Sequence, residues 1–422
     1  MRRASAYRTL PLVAKNLVKS SGGFTAAVIV RAVFQWLLVV VLAKLGGPAE
    51  VGAFSALLAV ASPTIIFFEF GYRNVYASQT TVPNAWVAII SRILLLVLAS
   101  AVIVTVGSLY GGIEIELLLA ISCTKALESI LDLTFLADQR IGRMRYPAIA
   151  IAVNACLGFA AFASARLWGA GLAGSILAMG APTLIILLVS SVSFRKKLQN
   201  SKDLESNEVG FQWLVRSGFP TGLAQSISSL SAYLPIFALT AGGHIQEAGQ
   251  YAVLSYFLVI AQLIMGSMQQ VRLSDARKSA SLPLTVFRKA CTENALIALP
   301  ISVLTLFAVK FALGPVYGEA FQGGWLSAAL VAASIVFLPV SYGTATAMLI
   351  LGLFNRQLMV TFGTLAVGAV GLVSFFFLSP LTSALTIMVM TVGARAVFGY
   401  ISIISRATRL ERRHRGSQLL FD

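Results

Sequence analysis

Charge is what this chain has least of. Asp, Glu, Lys and Arg make up 11% of its 422 residues, against roughly 25% in an average soluble domain. Histidine is scarcer still, with only His244 and His414, so a histidine-based metal centre is not expected. The three cysteines, Cys123, Cys156 and Cys291, fall within or at the edge of apolar stretches. They read as small buried residues rather than disulfides or metal ligands. No metal and no cofactor are expected. The glycines and prolines follow no collagen-like period, and the apolar runs lack the period-two alternation of a barrel strand. A water-soluble globule, a disordered chain and a β-barrel are thereby excluded.

What is abundant is apolar sequence: 58% of residues are hydrophobic and the mean hydropathy is +0.85. The fold class expected is an all-α polytopic membrane protein. A spanning helix needs about 20 mostly apolar residues, and twelve stretches qualify. They are Gly23–Lys44, Val51–Phe70, Ala85–Leu109, Ile113–Leu136, Tyr146–Ala165, Trp168–Ser193, Gly218–Thr240, Gly249–Met268, Ala290–Leu313, Trp325–Leu353, Leu358–Leu378 and Leu381–Ser405. Ahead of them, Leu10–Lys19 has the pattern of a short interfacial helix, with Leu10, Val13, Leu17 and Val18 beside Lys15 and Lys19.

The chain carries 32 Lys and Arg against 16 Asp and Glu, a net charge of +16. The basic residues are dispersed over short loops, which argues against nucleic-acid binding and for topology signals on the cytoplasmic side. With the N-terminus inside, Arg2, Arg3 and Arg8, then Arg73, Arg140, Arg143, Arg145 and Arg195–Lys197 are cytoplasmic. Arg272, Arg277, Lys278, Arg288, Lys289, Arg356 and the tail from Arg406 follow them, whereas Arg166 falls outside. Both termini are expected in the cytoplasm and the protein in the inner membrane. The first apolar run is a full span with no A-x-A-like site after it, so a cleavable signal is not expected.

The polar stretch Arg195–Glu208 divides the spans six and six. It gives an N-terminal six-helix bundle over 1–197, a cytoplasmic linker over 198–214 and a C-terminal six-helix bundle over 215–422. An internal repeat supports the division. GGPAEVGAFSALLAV begins at Gly46 and GGHIQEAGQYAVLSY at Gly242. With one inserted residue, Gly46 matches Gly242, Glu50 matches Glu247, Gly52 matches Gly249 and Phe54 matches Tyr251. Copies six spans apart have the same orientation, so the repeat is parallel with its axis along the membrane normal.

Lys15–Asn16, Arg31, LAKLGGPAEVGAFS from Leu42 and FEFGYRN from Phe68 resemble the polysaccharide transporter family, the O-antigen and lipid-linked oligosaccharide flippases. The resemblance implies the two-bundle fold shared with multidrug and toxin extrusion transporters, built around a central cavity that opens alternately to each side. It implies a lipid-linked oligosaccharide as substrate, in the synthesis of a surface polysaccharide such as lipopolysaccharide or exopolysaccharide. Membrane lipid, a polysaccharide polymerase and glycosyltransferases are the partners implied.

Ionisable residues inside spans are unfavourable and mark places to look for function. Here they are Arg31, Glu69, Arg92, Lys125, Glu128, Asp132 and Arg395. Arg31 has Gln35 one turn on, and its planar fork of donors suits phosphate oxygens. Lys125, Glu128 and Asp132 share one helix face. Arg31, Gln35 and Lys125 are the expected substrate-binding residues, and Glu128 and Asp132 the expected ion-coupling pair; a self-neutralising structural cluster is the alternative. Glu69 and Arg73 are read as a local pair, Arg92 as able to snorkel to the inner face, and Arg395 as able to do so only in part. The interior prolines Pro63, Pro182, Pro235, Pro300 and Pro339 allow helix kinks.

The function expected is a flippase for an undecaprenyl-diphosphate-linked oligosaccharide. A cation-coupled multidrug exporter of the same fold is the runner-up. A membrane polymerase or glycosyltransferase is disfavoured: outer connections are short, D-x-D is absent, and Glu114 and Glu116 suit a helix N-terminus. An enzyme is therefore not expected, and a scaffold of a glycan-assembly complex ranks lower still.

Overall fold

The computed structural model describes residues 4–72, 85–109, 113–136, 138, 144–200, 211–276 and 283–418. Among the described residues there is no strand. The helical run Ala4–Phe68 is broken at Gly47, whose φ of 66° and ψ of −168° are open to glycine alone. Pro48 follows, at the first position of a new helix where its missing N–H costs nothing. The run is therefore two helices, α1 (residues 4–46) and α2 (residues 48–68). The other long helices are α3 Ala85–Leu109, α4 Ile115–Thr134, α5 Arg145–Leu167, α6 Leu172–Asn200, α7 Phe211–Ala241, α8 Ile245–Ala276, α9 Pro283–Phe311, α10 Trp325–Ile350, α11 Phe354–Gly371 and α12 Pro380–Gln418.

The segment Leu10–Lys19 is helical but runs without a break into the first span, so it is not a separate interfacial element. With the α1–α2 run counted once, ten helical stretches among the described residues are long and apolar enough to cross a membrane. The exception, α4, has 20 residues and carries Glu116, Lys125, Glu128 and Asp132. The protein is a multi-pass membrane protein.

Its outer surface differs from that of a soluble globule, while its interior is largely apolar with small polar residues among it. Large apolar side chains such as Leu94, Val97, Ile185 and Leu304 are exposed on the outside, while Ser175, Ser334, Ser383 and Thr346 are fully buried. Hydrocarbon solvates the former, and small residues inside let helices approach closely. Cys123 and Cys156 lie on the exposed surface and Cys291 is half-buried. The expectation of buried cysteines is corrected: in lipid an outward-facing thiol is as well solvated as an inward one.

Helices α1–α6 pack mainly among themselves, as do α7–α12, and the two bundles meet through α1 and α2 against α7 and α8. At the end away from the termini this contact is reciprocal. A Cβ on Gly52 would overlap the carbonyl oxygen of Ile245, and one on Gly249 would overlap that of Pro48. Gly52 matches Gly249 in the repeat, and Pro48 matches Ile245, so the two contacts are one contact made twice about a pseudo-two-fold axis. At the end that carries the termini, α2 closes in a left-handed turn at Phe70 (φ 51°) and Gly71 (φ 57°). Positive φ is uncommon for a bulky side chain. The turn lays the Phe70 backbone against Gly218 and Gly222 of α7, which have no room for a Cβ. Phe67 and Phe70 stack on Phe219 there, with ring centroids 5.8 and 6.0 Å apart.

Candidate functional site

A cavity of about 510 Å³ lies within the first bundle, between α1, α2, α4, α5 and α6, and α7 and α8 of the second bundle form its remaining wall. It is thus offset from the bundle interface rather than centred on it. The bundle axis of a membrane protein is where intramembrane charge can be kept from lipid. All five residues expected from the sequence line it: Arg31 and Gln35 on α1, and Lys125, Glu128 and Asp132 on α4.

The charged residues converge on a single oxygen. Lys125 Nζ donates to Glu128 Oε2 at 2.9 Å, and Arg31 Nη2 lies 3.5 Å from the same atom. The i, i+3 spacing on α4 supplies the first contact, and the packing of α1 against α4 supplies the second. Two cations share one carboxylate, leaving the trio with a charge of +1. Their side chains remain partly open, Arg31 at 40% and Lys125 at 21%, and both line the cavity.

A second polar group sits nearer the termini. Ser129 donates to Glu69 Oε1 at 2.6 Å, and Arg92 approaches the same oxygen at 3.8 Å. Arg92 does not snorkel. Its side chain is 5% exposed, its guanidinium stands 4.9 Å from the Tyr72 ring centroid, and Tyr72 is linked to Ser91 at 3.0 Å. The nearby carboxylate and aromatic face offset part of the cost of burying the guanidinium. The expected partner of Glu69, Arg73, lies outside the described residues.

Three further features were not anticipated from sequence. Thr183 donates to Asn154 Oδ1 at 2.9 Å, and both line the cavity on α5 and α6. The second bundle contributes Tyr233, within 3.4 Å of Ser62, and Tyr256, which donates to the Ala32 carbonyl at 3.1 Å. Outside the cavity, Arg166 pairs with Glu50 at 2.7 Å. Only the lone asparagine in an otherwise apolar span could have flagged the first of these. Among the described residues no group of three or more His, Cys, Asp or Glu could hold a metal ion.

No protein-family model matches the chain. The chain is 21% identical over 347 residues to the capsular polysaccharide biosynthesis protein CapF of Staphylococcus aureus, covering 80% of this chain and 87% of CapF. Among solved structures it superposes on an outward-facing multidrug resistance MATE family transporter of the MOP superfamily with a TM-score of 0.67, at 15% identity, covering 93% of this chain and 96% of the other. A mutant of the Vibrio cholerae MATE transporter VcmN gives 0.68 at 13% identity, covering 96% and 98%. A MOP superfamily transporter from Pyrococcus furiosus, described as having a binding pocket of reversed polarity, gives 0.64 at 16% identity, covering 93% and 96%. The chain has the MATE-like fold of two six-helix bundles.

Proposed function

We propose that the protein is a transporter that moves an undecaprenyl-diphosphate-linked oligosaccharide across the inner membrane by alternating access, and that it is not an enzyme. The observation that carries this reading is the shared carboxylate. Arg31 and Lys125 share the one carboxylate of Glu128, so the trio keeps a charge of +1 for an incoming diphosphate. Arg31 would grip phosphate oxygens through its fork and Lys125 through a compact charge. Gln35 and the pinned amide of Asn154 stand in the same cavity as hydrogen-bonding groups for the uncharged part of the head group. Asp132 and Glu128 remain the proposed ion-coupling residues. The likeness to CapF supports a glycan pathway, with polymerase and glycosyltransferases as neighbours in that pathway.

Closing contacts at both ends fit alternating access. The reciprocal glycine contacts seal one end and the Phe70 turn the other, and each must separate in turn for the cavity to open. The test is transport of a labelled diphosphate-linked oligosaccharide into vesicles with and without the purified protein. Transport dependent on the protein supports the reading, and none in folded protein rejects it.

A second reading has its own observation. Three carboxylates (Glu69, Glu128, Asp132) and the aromatics Phe34, Phe54, Phe159, Tyr233 and Tyr256 line the same cavity, a lining that suits an organic cation. Drug-exporter function predicts uptake of a fluorescent cationic dye against a gradient, and no effect of prenyl diphosphate on it.

A further inference from the structure

Three arginines lie deep in the spanning helices, and their surroundings differ in kind. Arg31 shares Glu128 with Lys125. Arg92 is sealed, its Nε and Nη1 buried without a hydrogen-bond partner between Glu69 and Tyr72. Arg395, on α12 of the second bundle, matches neither pattern. Nη1 donates to Ser228 Oγ of α7 at 2.6 Å, and the guanidinium stands 6.0 Å from the Tyr342 ring centroid on α10. Among the described residues no carboxylate lies within ion-pair distance of it.

The rest of its fork is not buried away. Arg395 makes no other hydrogen bond among the described residues, yet none of its nitrogens is among the sealed, unpartnered ones. Its side chain is half-buried rather than sealed, inside a membrane-spanning bundle. A cation there without a counter-charge is costly. A permanent structural role would be expected to seal it or pair it, as Arg92 is.

The repeat gives this position a meaning. Helices α7, α10 and α12 are the counterparts of α1, α4 and α6, which carry or line the first cavity with Arg31, Lys125 and Thr183. The second bundle thus places a cation, a hydroxyl and an aromatic on the same three helices of its own repeat unit.

We propose that Arg395, with Ser228 and Tyr342, forms a second anion-binding site, in the C-terminal bundle, for a phosphate-class group. Arg395 supplies the charge and the free edge of the fork, Ser228 holds one arm in place, and the Tyr342 face orients the plane of the guanidinium. The bound group is either free inorganic phosphate or the head group of a lipid phosphate. The site is separate from the Arg31 cavity and does not depend on the function proposed for it.

The test is arginine-selective modification of the full-length protein in detergent, with phenylglyoxal as reagent and peptide mass spectrometry as readout. Arg92 serves as the sealed internal control. Arg395 is expected to react much faster than Arg92. Inorganic phosphate, or failing that farnesyl diphosphate, is expected to slow the Arg395 reaction by about tenfold at saturation, while gluconate at equal ionic strength leaves it unchanged. Protection by inorganic phosphate identifies a free-anion site, and protection by farnesyl diphosphate alone a lipid head-group site. Ser228→Ala, a small change at a half-buried position, should weaken the protecting anion about tenfold, the loss of one charge-assisted positioning contact. Arg31→Gln should leave protection at Arg395 intact. The proposal is overturned if Arg395 reacts no faster than Arg92, if neither phosphate compound protects it, or if protection disappears in Arg31→Gln but survives Ser228→Ala.

Discussion

Glu128→Gln separates a clamp from a structural cluster. The substitution keeps the shape and removes the charge that Arg31 and Lys125 share at 3.5 and 2.9 Å. A unit-charge pair near 4 Å is attracted by about 4 kcal/mol at an effective dielectric of 20. With side chains 21 to 40% open, solvent screening and side-chain entropy reduce each net contribution to about 1 kcal/mol. Folding stability is then expected to fall by only about 1–3 kcal/mol, because both cations are partly exposed. Anion binding should move the other way. The carboxylate is the diphosphate's competitor, and releasing about 1.4 kcal/mol of that competition corresponds to about tenfold tighter binding. Binding of radiolabelled farnesyl diphosphate to wild type and variant in the same detergent measures it, alongside vesicle transport. Tighter binding with slower turnover is expected, since release must now break the clamp unaided. Weaker or unchanged binding by a well-folded variant would refute the shared-carboxylate reasoning.

Other outcomes follow from the same geometry. Asp132→Asn should flatten the pH or sodium dependence of transport while leaving farnesyl diphosphate binding within about twofold; unchanged ion dependence removes Asp132 from coupling. Gly249→Leu cannot fit against the Pro48 carbonyl, so transport should be lost while ligand binding persists, and normal transport would show that this contact is no gate. Glu50→Gln strands Arg166, whose side chain is 14% exposed; a loss of about 2 kcal/mol is expected, below the 3–5 kcal/mol of a fully buried pair, and Glu50→Leu with Arg166→Leu should recover most of it. For topology, single cysteines replacing Ser201 and His244 in a Cys-free protein should label from outside only at position 244, and the reverse pattern overturns the expected orientation.

The helical fold was legible because a period of about 20 apolar residues leaves little choice in lipid, and the repeat was legible because Gly46–Phe54 and Gly242–Tyr251 kept the glycines their close contact requires. Arg31, Gln35, Lys125, Glu128 and Asp132 were legible because charge in a span is rare enough to stand out. What stayed hidden depends on which helices become neighbours. Arg92 looked like a snorkelling residue because nothing in sequence places Tyr72 and Glu69 beside it. The Arg166–Glu50 pair joins positions 116 residues apart, and Arg395 meets Ser228 across 167. Tyr233 and Tyr256 line a cavity in the other bundle, which no helical periodicity could indicate. The cysteines were misplaced because burial was judged as if the solvent were water.

The central claim is that Arg31 grips the diphosphate of a lipid-linked substrate, and substituting that residue tests it most directly. Transport of a labelled diphosphate-linked oligosaccharide and thermal stability are measured on wild type, Arg31→Lys and Arg31→Ala in one preparation. The clamp predicts near-wild-type stability for both variants, because Arg31 is 40% exposed and its contact with Glu128 is long at 3.5 Å. It also predicts transport lost in Arg31→Ala and only partly restored in Arg31→Lys, which keeps the charge but not the fork. Full transport by a stable Arg31→Ala protein would contradict it.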